Sequence, residues 1–199
     1  PASHIHFSID APLQFKSIIF IPGSIPWDLR FDIPEKWRGV HLYAKRIFIQ
    51  SDCEELAPHY LRFVRGVVDS DDLPLNISRE TLQENNMISQ IRKILTKKVL
   101  DHLRELSESN IEEYNKIWKN FGKFIKQGYH IDFENREKIA GILRFNTSKC
   151  QTEDEIISLD KYIERMVEDQ KEIFYISGED RESIEKSPHM ELFKSKHIE

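Results

Sequence analysis

The sequence predicts a mixed α/β fold built as two α/β units. Three observations carry that expectation. Short β-branched and aromatic runs bounded by turn residues recur over the first third of the chain. Two long stretches follow in which apolar residues fall every three or four positions. A second, shorter set of strand and helix patterns closes the chain. The 199 residues are 39% hydrophobic and 32% charged, which provides for a core beneath a heavily charged surface. A net charge of −5 argues against nucleic acid as the main partner. No apolar run approaches the roughly 18–20 residues that span a bilayer. Cys53 and Cys150 lie far apart without metal or redox spacing and read as free thiols of a reducing compartment.

Residues 4–21 read as two strands, the second a run from Phe15 to Ile21 between Pro12 and Pro22. Residues 22–39 read as loop because of Pro22-Gly-Ser-Ile-Pro26 and Pro34-Glu-Lys-Trp-Arg-Gly39. That loop carries Ile25, Trp27, Leu29, Phe31 and Trp37, which either fold back onto the body or stay partly exposed for a partner. A third strand is expected over 40–49, two turns of helix over 56–63, and a further strand over 64–69. Met87, Ile91, Ile94, Leu95, Val99, Leu103 and Leu106 then trace one helical stripe. Tyr114, Ile117, Trp118, Phe121 and Ile125 trace a second over 111–126, with Trp118 and Phe121 as anchors of a helix interface. Residues 146–155 read as a connector, and Ser158 caps a helix over 159–166. Residues 172–177 read as a short strand, with helices opening at Asp180 and Pro188.

The loop from Asp69 to Asn85 stands apart. Pro74 cannot continue a strand, and Ser78 offers a hydroxyl to cap a new helix. Arg79 then places a cation where the helix dipole is already positive, a placement that fits an anion supplied from elsewhere. Two readings of Arg79 stand side by side. It is an exposed or salt-bridged arginine of little energetic consequence, or it is an arginine finger whose guanidinium fork meets a phosphoryl group bound elsewhere. Asn76 and Gln83 are neutral hydrogen-bonding side chains suited to bracing such a loop or touching a phosphate oxygen. Other catalytic signatures are missing: no Gly-rich phosphate loop, no GxSxG, no HExxH and no Cys/His cluster. His4 and His6 share a strand face without a third ligand, and Asp69, Asp71 and Asp72 read as solvated turn carboxylates, so no metal is expected.

Phe63-Val-Arg-Gly-Val-Val-Asp-Ser-Asp-Asp-Leu-Pro-Leu-Asn-Ile-Ser-Arg-Glu80 closely resembles the middle-domain signature of the heat shock protein 90 chaperone family. Phe15-Lys-Ser-Ile-Ile-Phe-Ile-Pro22 and Leu42-Tyr-Ala-Lys-Arg-Ile-Phe-Ile49 look like its upstream strands. Leu143-Arg-Phe145, Ser158 to Met166 and Ile173-Phe-Tyr-Ile176 look like its downstream blocks. Tyr60-Leu-Arg-Phe-Val-Arg-Gly66, without long charged insertions, looks most like the bacterial HtpG branch.

The resemblance implies two αβα sandwich-like units joined by a small helical segment: 1–109 with the catalytic loop 69–85, connecting helices 110–141, and 142–199. It implies that ATP, with Mg, is held mainly by a separate N-terminal domain that the middle domain meets when its lid closes. Arg79 then reaches the γ-phosphate, with Gln83 beside it and Asn76 in the loop. The chain by itself is expected to be inactive and the full-length protein to be an ATPase. Implied partners are that N-terminal ATPase domain, client proteins, co-chaperones and a second copy held through a C-terminal domain, with neither nucleic acid nor membrane. Trp27 matches a bulky apolar position facing clients, and Phe48 a packing position behind the catalytic loop. The expected location is the cytoplasm. Residues 1–7 lack the basic and apolar regions of a signal peptide. The chain opens without Met and stops as an apolar segment begins, so it is expected to be a piece of a longer protein. A passive protein-interaction scaffold is the alternative to the catalytic reading.

Overall fold

The strand pattern of the first residues becomes one sheet because apolar alternation gives its inner strands a buried face. The computed structural model describes residues 1–30, 39–75 and 86–199. β1 (Ser3–Ile9) and β2 (Phe15–Ile21) pair antiparallel, and Phe15, Ser17, Ile19 and Ile21 of β2 all point into the core. With β3 (Val40–Ala44), β4 (Ile47–Gln50) and β5 (Arg65–Ser70) they form a five-stranded mixed sheet in the order β1-β2-β5-β3-β4. β5 is therefore the central strand, antiparallel to β2 and parallel to β3.

Two expectations for this region are corrected. Residues 40–49 form a hairpin, not one strand, turning at Lys45 and Arg46 with φ of 50° and 67°. Paired positive φ values make a hairpin turn, but neither residue is the Gly or Asn that usually announces one. Tertiary partners supply the missing preference: Lys45 N–H donates to the Ser70 carbonyl and Arg46 N–H to Asp69 Oδ1, each at 3.0 Å. The helix expected over 56–63 is instead two 3-10 turns, Glu54–Leu56 and His59–Leu61. Pro58 disfavours the helical region at the residue before it, and Ala57 is extended, with φ −136° and ψ 142°.

The two helical stripes hold. α1 is the short Trp27–Arg30, α2 runs Asn86–Ser109 and α3 runs Ile111–Ile131. Asn110 starts α3 by accepting from the Glu113 N–H at 3.3 Å. Ile88, Ile91, Leu95, Val99 and Leu103 bury the apolar face of α2. Trp118 and Phe121 are both buried, and Phe121 stacks on Phe63 with centroids 4.5 Å apart. Beyond residue 126, α3 continues because Gly128 admits the Tyr60 ring; a Cβ there would lie 2.7 Å from it. Tyr60 donates to Asp132 Oδ2 at 2.7 Å, and burial pushes its phenol pKa up, assisted by that carboxylate.

The chain divides into two compact units, Pro1–Ile139 and Ala140–Glu199, with α4 (Arg136–Ile142) crossing the division. The second unit contains the two-stranded pair β6 (Arg144–Phe145) and β7 (Ile157–Ser158). α5 (Leu159–Glu164), α6 (Arg181–Glu185) and α7 (His189–Ser195) follow. Its small core gathers Cys150, Ile157 and Tyr162. The strand expected over 172–177 does not form. A strand needs a neighbour for its backbone groups, and among the described residues two of these groups find side chains instead. Glu172 C=O accepts from Gln170 Nε2 at 2.9 Å, and Phe174 N–H donates to the Tyr162 hydroxyl at 3.4 Å.

Candidate functional site

The stretch the sequence singled out leaves the C-terminal end of the central strand, and its first residues are held from both sides. Ser70 Oγ and Asp71 N–H donate to the Gln14 carbonyl at 2.9 and 3.1 Å, while Gln14 N–H donates to Asp72 Oδ2 at 2.7 Å. On the other flank Asp69 and Ser70 hold the Lys45–Arg46 turn. Leu73 is fully buried, whereas Leu75 is half exposed. Asp69 and Asp72 are thus not merely solvated turn carboxylates: each accepts a backbone N–H from a different hairpin end. Past the loop, Ile88 and Ile91 seat the start of α2 in the core.

Asn76, Ser78, Arg79 and Gln83 lie outside the described residues, as do Phe31 and Trp37. The structure accordingly describes the two mounts of the loop and not the side chains between them. Asp72→Ala removes the acceptor of the Gln14 N–H, which is a charge-assisted bond at an exposed site. The expected cost is about 1 kcal/mol, read as a lowered melting temperature of the chain. An unchanged melting temperature would mean that this mount carries no load.

Trp27 is 49% exposed at the first position of α1, while its neighbours Asp28 and Leu29 are buried. Asp28 Oδ2 accepts from Arg65 Nη2 at 2.8 Å, and Arg65 Nη1 also donates to the Arg62 and Val64 carbonyls at 2.7 and 3.0 Å. This ion pair is almost out of solvent on the Asp28 side, where breaking one partner costs about 3–5 kcal/mol. Asn120 Nδ2 donates to the Gly23 carbonyl at 3.2 Å and ties the preceding turn to α3. The tryptophan is therefore displayed by a fixed base. Ile25 is partly buried and Leu29 buried, so the described part of this loop both folds back and keeps one large ring at the surface.

Sequence reasoning missed the Asp28–Arg65 pair. Its signal was a cation inside the apolar run Phe63-Val-Arg-Gly-Val-Val68, since a charge on a buried strand needs a partner. Phe48, expected to be packed, is 53% exposed and touches Tyr43 edge-on with centroids 5.5 Å apart. Ile47 beside it is 52% exposed, so the edge strand next to the loop mount presents two apolar side chains. Burial pushes the Cys53 thiol up to about 12, with Glu55 adding to the shift, so this sulfur is protonated and unreactive at neutral pH. Among the described residues no three His, Cys, Asp or Glu side chains converge to hold a metal ion, and no helix is long and apolar enough to cross a membrane.

Comparison with known proteins covers the whole chain. The family model described as Hsp90 protein matches residues 1–199. Chaperone protein HtpG of Geobacter metallireducens is 43% identical over 199 residues, and that of Geobacter sulfurreducens is 44% identical over the same length. Each alignment covers 100% of this chain and 30% of the relative, so the chain spans under a third of the length of these relatives. Among solved structures, the middle domain of a heat shock protein of Plasmodium falciparum superposes with a TM-score of 0.84 at 36% identity. That match covers 100% of this chain and 75% of the other.

Proposed function

The chain belongs to the Hsp90 family, and on that premise we propose that it is the middle segment of a cytoplasmic, ATP-dependent molecular chaperone. It supplies Arg79 to the γ-phosphate of ATP held, with Mg, by a separate N-terminal domain. Asn76 and Gln83 brace the loop or share the contact with the phosphate. The protein acts as a homodimer joined through a C-terminal domain, alongside co-chaperones, and neither nucleic acid nor membrane is a partner. The single observation that carries the catalytic part is the double mount of the loop at the end of β5. Gln14 holds Ser70, Asp71 and Asp72 from one hairpin, and the Lys45–Arg46 turn holds Asp69 and Ser70 from the other. A cation acts on a developing phosphoryl charge only if its base does not have to be ordered during the reaction. The exposed Ile47 and Phe48 next to that mount are suited to meeting an apolar patch on a closing domain. Steady-state ATP turnover of a full-length protein carrying Arg79→Ala tests the assignment, and unchanged turnover would leave a passive interaction scaffold in its place.

The client-binding part rests on Trp27, an indole held half exposed by a buried ion pair one residue away. Large aromatic rings on fixed bases are the usual anchors of protein contacts, because they bury much area for little lost entropy. Trp27→Ala is expected to weaken binding of an unfolded polypeptide by about tenfold, the upper range for losing one anchor. The melting temperature of the chain should stay within about 2 °C, as for surface substitutions generally. A large melting shift with unchanged binding would make Trp27 a core residue.

A further inference from the structure

We propose that β1 is an open sheet edge that takes an extended segment of an unfolded polypeptide as an added strand, the segment carrying apolar residues at alternate positions. β1 ends the sheet order β1-β2-β5-β3-β4, and among the described residues only β2 pairs with it. Alternate backbone N–H and C=O groups of an edge strand point away from the sheet, where water or another strand must satisfy them. The two edges of this sheet differ. β4 is four residues long, its pairing with β3 shifts register between Leu42 and Tyr43, and Lys45 and Arg46 precede it. Short length, broken register and cations are the devices that keep foreign strands off an edge. β1 has none of them. Ser3-His-Ile-His-Phe-Ser-Ile9 contains no Lys, Arg, Asp, Glu or Pro, and its seven residues pair with β2 in unbroken register.

The strand is also held in place. Ser3 Oγ lies 2.7 Å from His102 Nε2 of α2, and the Phe7 ring meets Phe15 edge-on with centroids 5.9 Å apart. A template that is already ordered loses less entropy when a partner adds to it. The side chains define that partner. Ile5, Phe7 and Ile9 are partly buried and share the face that carries Phe15, Ser17 and Ile19 of β2, whereas His4, His6 and Ser8 are exposed on the opposite face. Ile5, Phe7 and Ile9 thus form the last apolar row of the core, open on the side where an added strand would lie. Alternate apolar residues of that strand would cover the row, and the intervening residues would join the polar face in water. A charged segment would find no ion-pair partner on β1 itself. A folded protein keeps such an alternating segment in its own sheet, and an unfolded chain exposes it. The edge therefore adds a second contact to the client-binding reading, on which the identity of its occupant rests. The Trp27→Ala assay can fail without touching it, because the edge is scored on β1 and on the backbone of the probe.

The probe is a fluorescein-labelled peptide of alternating valine and threonine, about seven residues long to match the ~24 Å edge. It is titrated with the 199-residue chain and followed by fluorescence anisotropy. Saturable binding is expected. The same peptide N-methylated along its backbone should not bind, because it keeps the side chains and loses the donors of the ladder. Ile5→Lys, checked for folding by circular dichroism, should weaken binding at least about tenfold, since the added strand would cover an ammonium. Leu192→Lys, an exposed apolar-to-charged change in the second unit, should leave binding unchanged. Equal binding of the N-methylated peptide would reduce the contact to side-chain adhesion and overturn the proposal. So would undiminished binding by folded Ile5→Lys. A concentration-dependent dimer of the chain that Ile5→Lys dissolves would make the edge a self-association surface and overturn it as well.

Discussion

Arg79→Ala in the full-length protein should lower ATP turnover by about a hundredfold while nucleotide affinity stays within a few fold. The charge of a finger acts on the phosphoryl group as it departs and is felt little by the bound ground state. In well-studied systems such an arginine contributes roughly 10³–10⁵ in turnover. The smaller figure follows if domain closure limits the cycle, because part of the chemical loss is then hidden behind a slower step. Arg79→Lys separates charge from geometry. Lysine keeps the cation but not the planar fork, so turnover should fall between wild type and the alanine variant. Steady-state hydrolysis and equilibrium nucleotide binding on the same preparations decide it. Turnover unchanged in both variants would remove Arg79 from the chemistry. A parallel loss of affinity and turnover would make it a ground-state binding residue.

The legibility of this fold in sequence tracked how local each cause is. The stripes of α2 and α3 are written in their own residues and were read with their faces correct. The β3–β4 hairpin was not, because its turn is sustained by Ser70 and Asp69 from another strand and not by the residues that turn. The same holds for 172–177. Ile173 to Ile176 have strand composition, but composition supplies no partner, and Gln170 and Tyr162 take up two of its backbone groups. At the candidate site, the unusual residues of the loop were legible and its supports were not. Gln14 lies 58 residues from Asp72 in sequence, and nothing in its local context distinguishes it from any turn glutamine. The Asp28–Arg65 pair spans 37 residues, and only its Arg65 half was anomalous where it stood. Sequence thus singled out residues 76–85, which lie outside the described residues, while the hydrogen bonds at the described mount, residues 69–72, came from distant segments.

Gly66→Ala should be strongly damaging, because the added methyl meets backbone and not a movable side chain, and its consequence reaches the end of β5. Gly66 has φ +153°, where L side chains are strained, and an added Cβ would lie 2.2 Å from the Ile18 carbonyl oxygen and 3.0 Å from Ile19 Cα. Both atoms are backbone of the neighbouring strand, so no side chain can swing aside. The residue pairs with Ile19 of β2 and Val40 of β3 at once, which denies β5 freedom to shift on either side. Backbone strain and overpacking each cost about 1–3 kcal/mol, giving about 4 kcal/mol together. For a domain of this size that lowers the melting temperature by about 10 °C. Gly39→Ala is the control, since the nearest atom to its Cβ is 3.7 Å away and a methyl fits. Thermal unfolding of both variants by circular dichroism tests the claim, and equal melting temperatures would show that β5 can yield. Where β5 does yield, Ser70 and Asp69 move with it, because they lie on the same strand as Gly66. A Gly66→Ala full-length protein assayed below its melting transition should therefore lose ATP turnover with Arg79 still in place. Full turnover in that folded variant would show that the loop does not depend on the register of the strand that carries it.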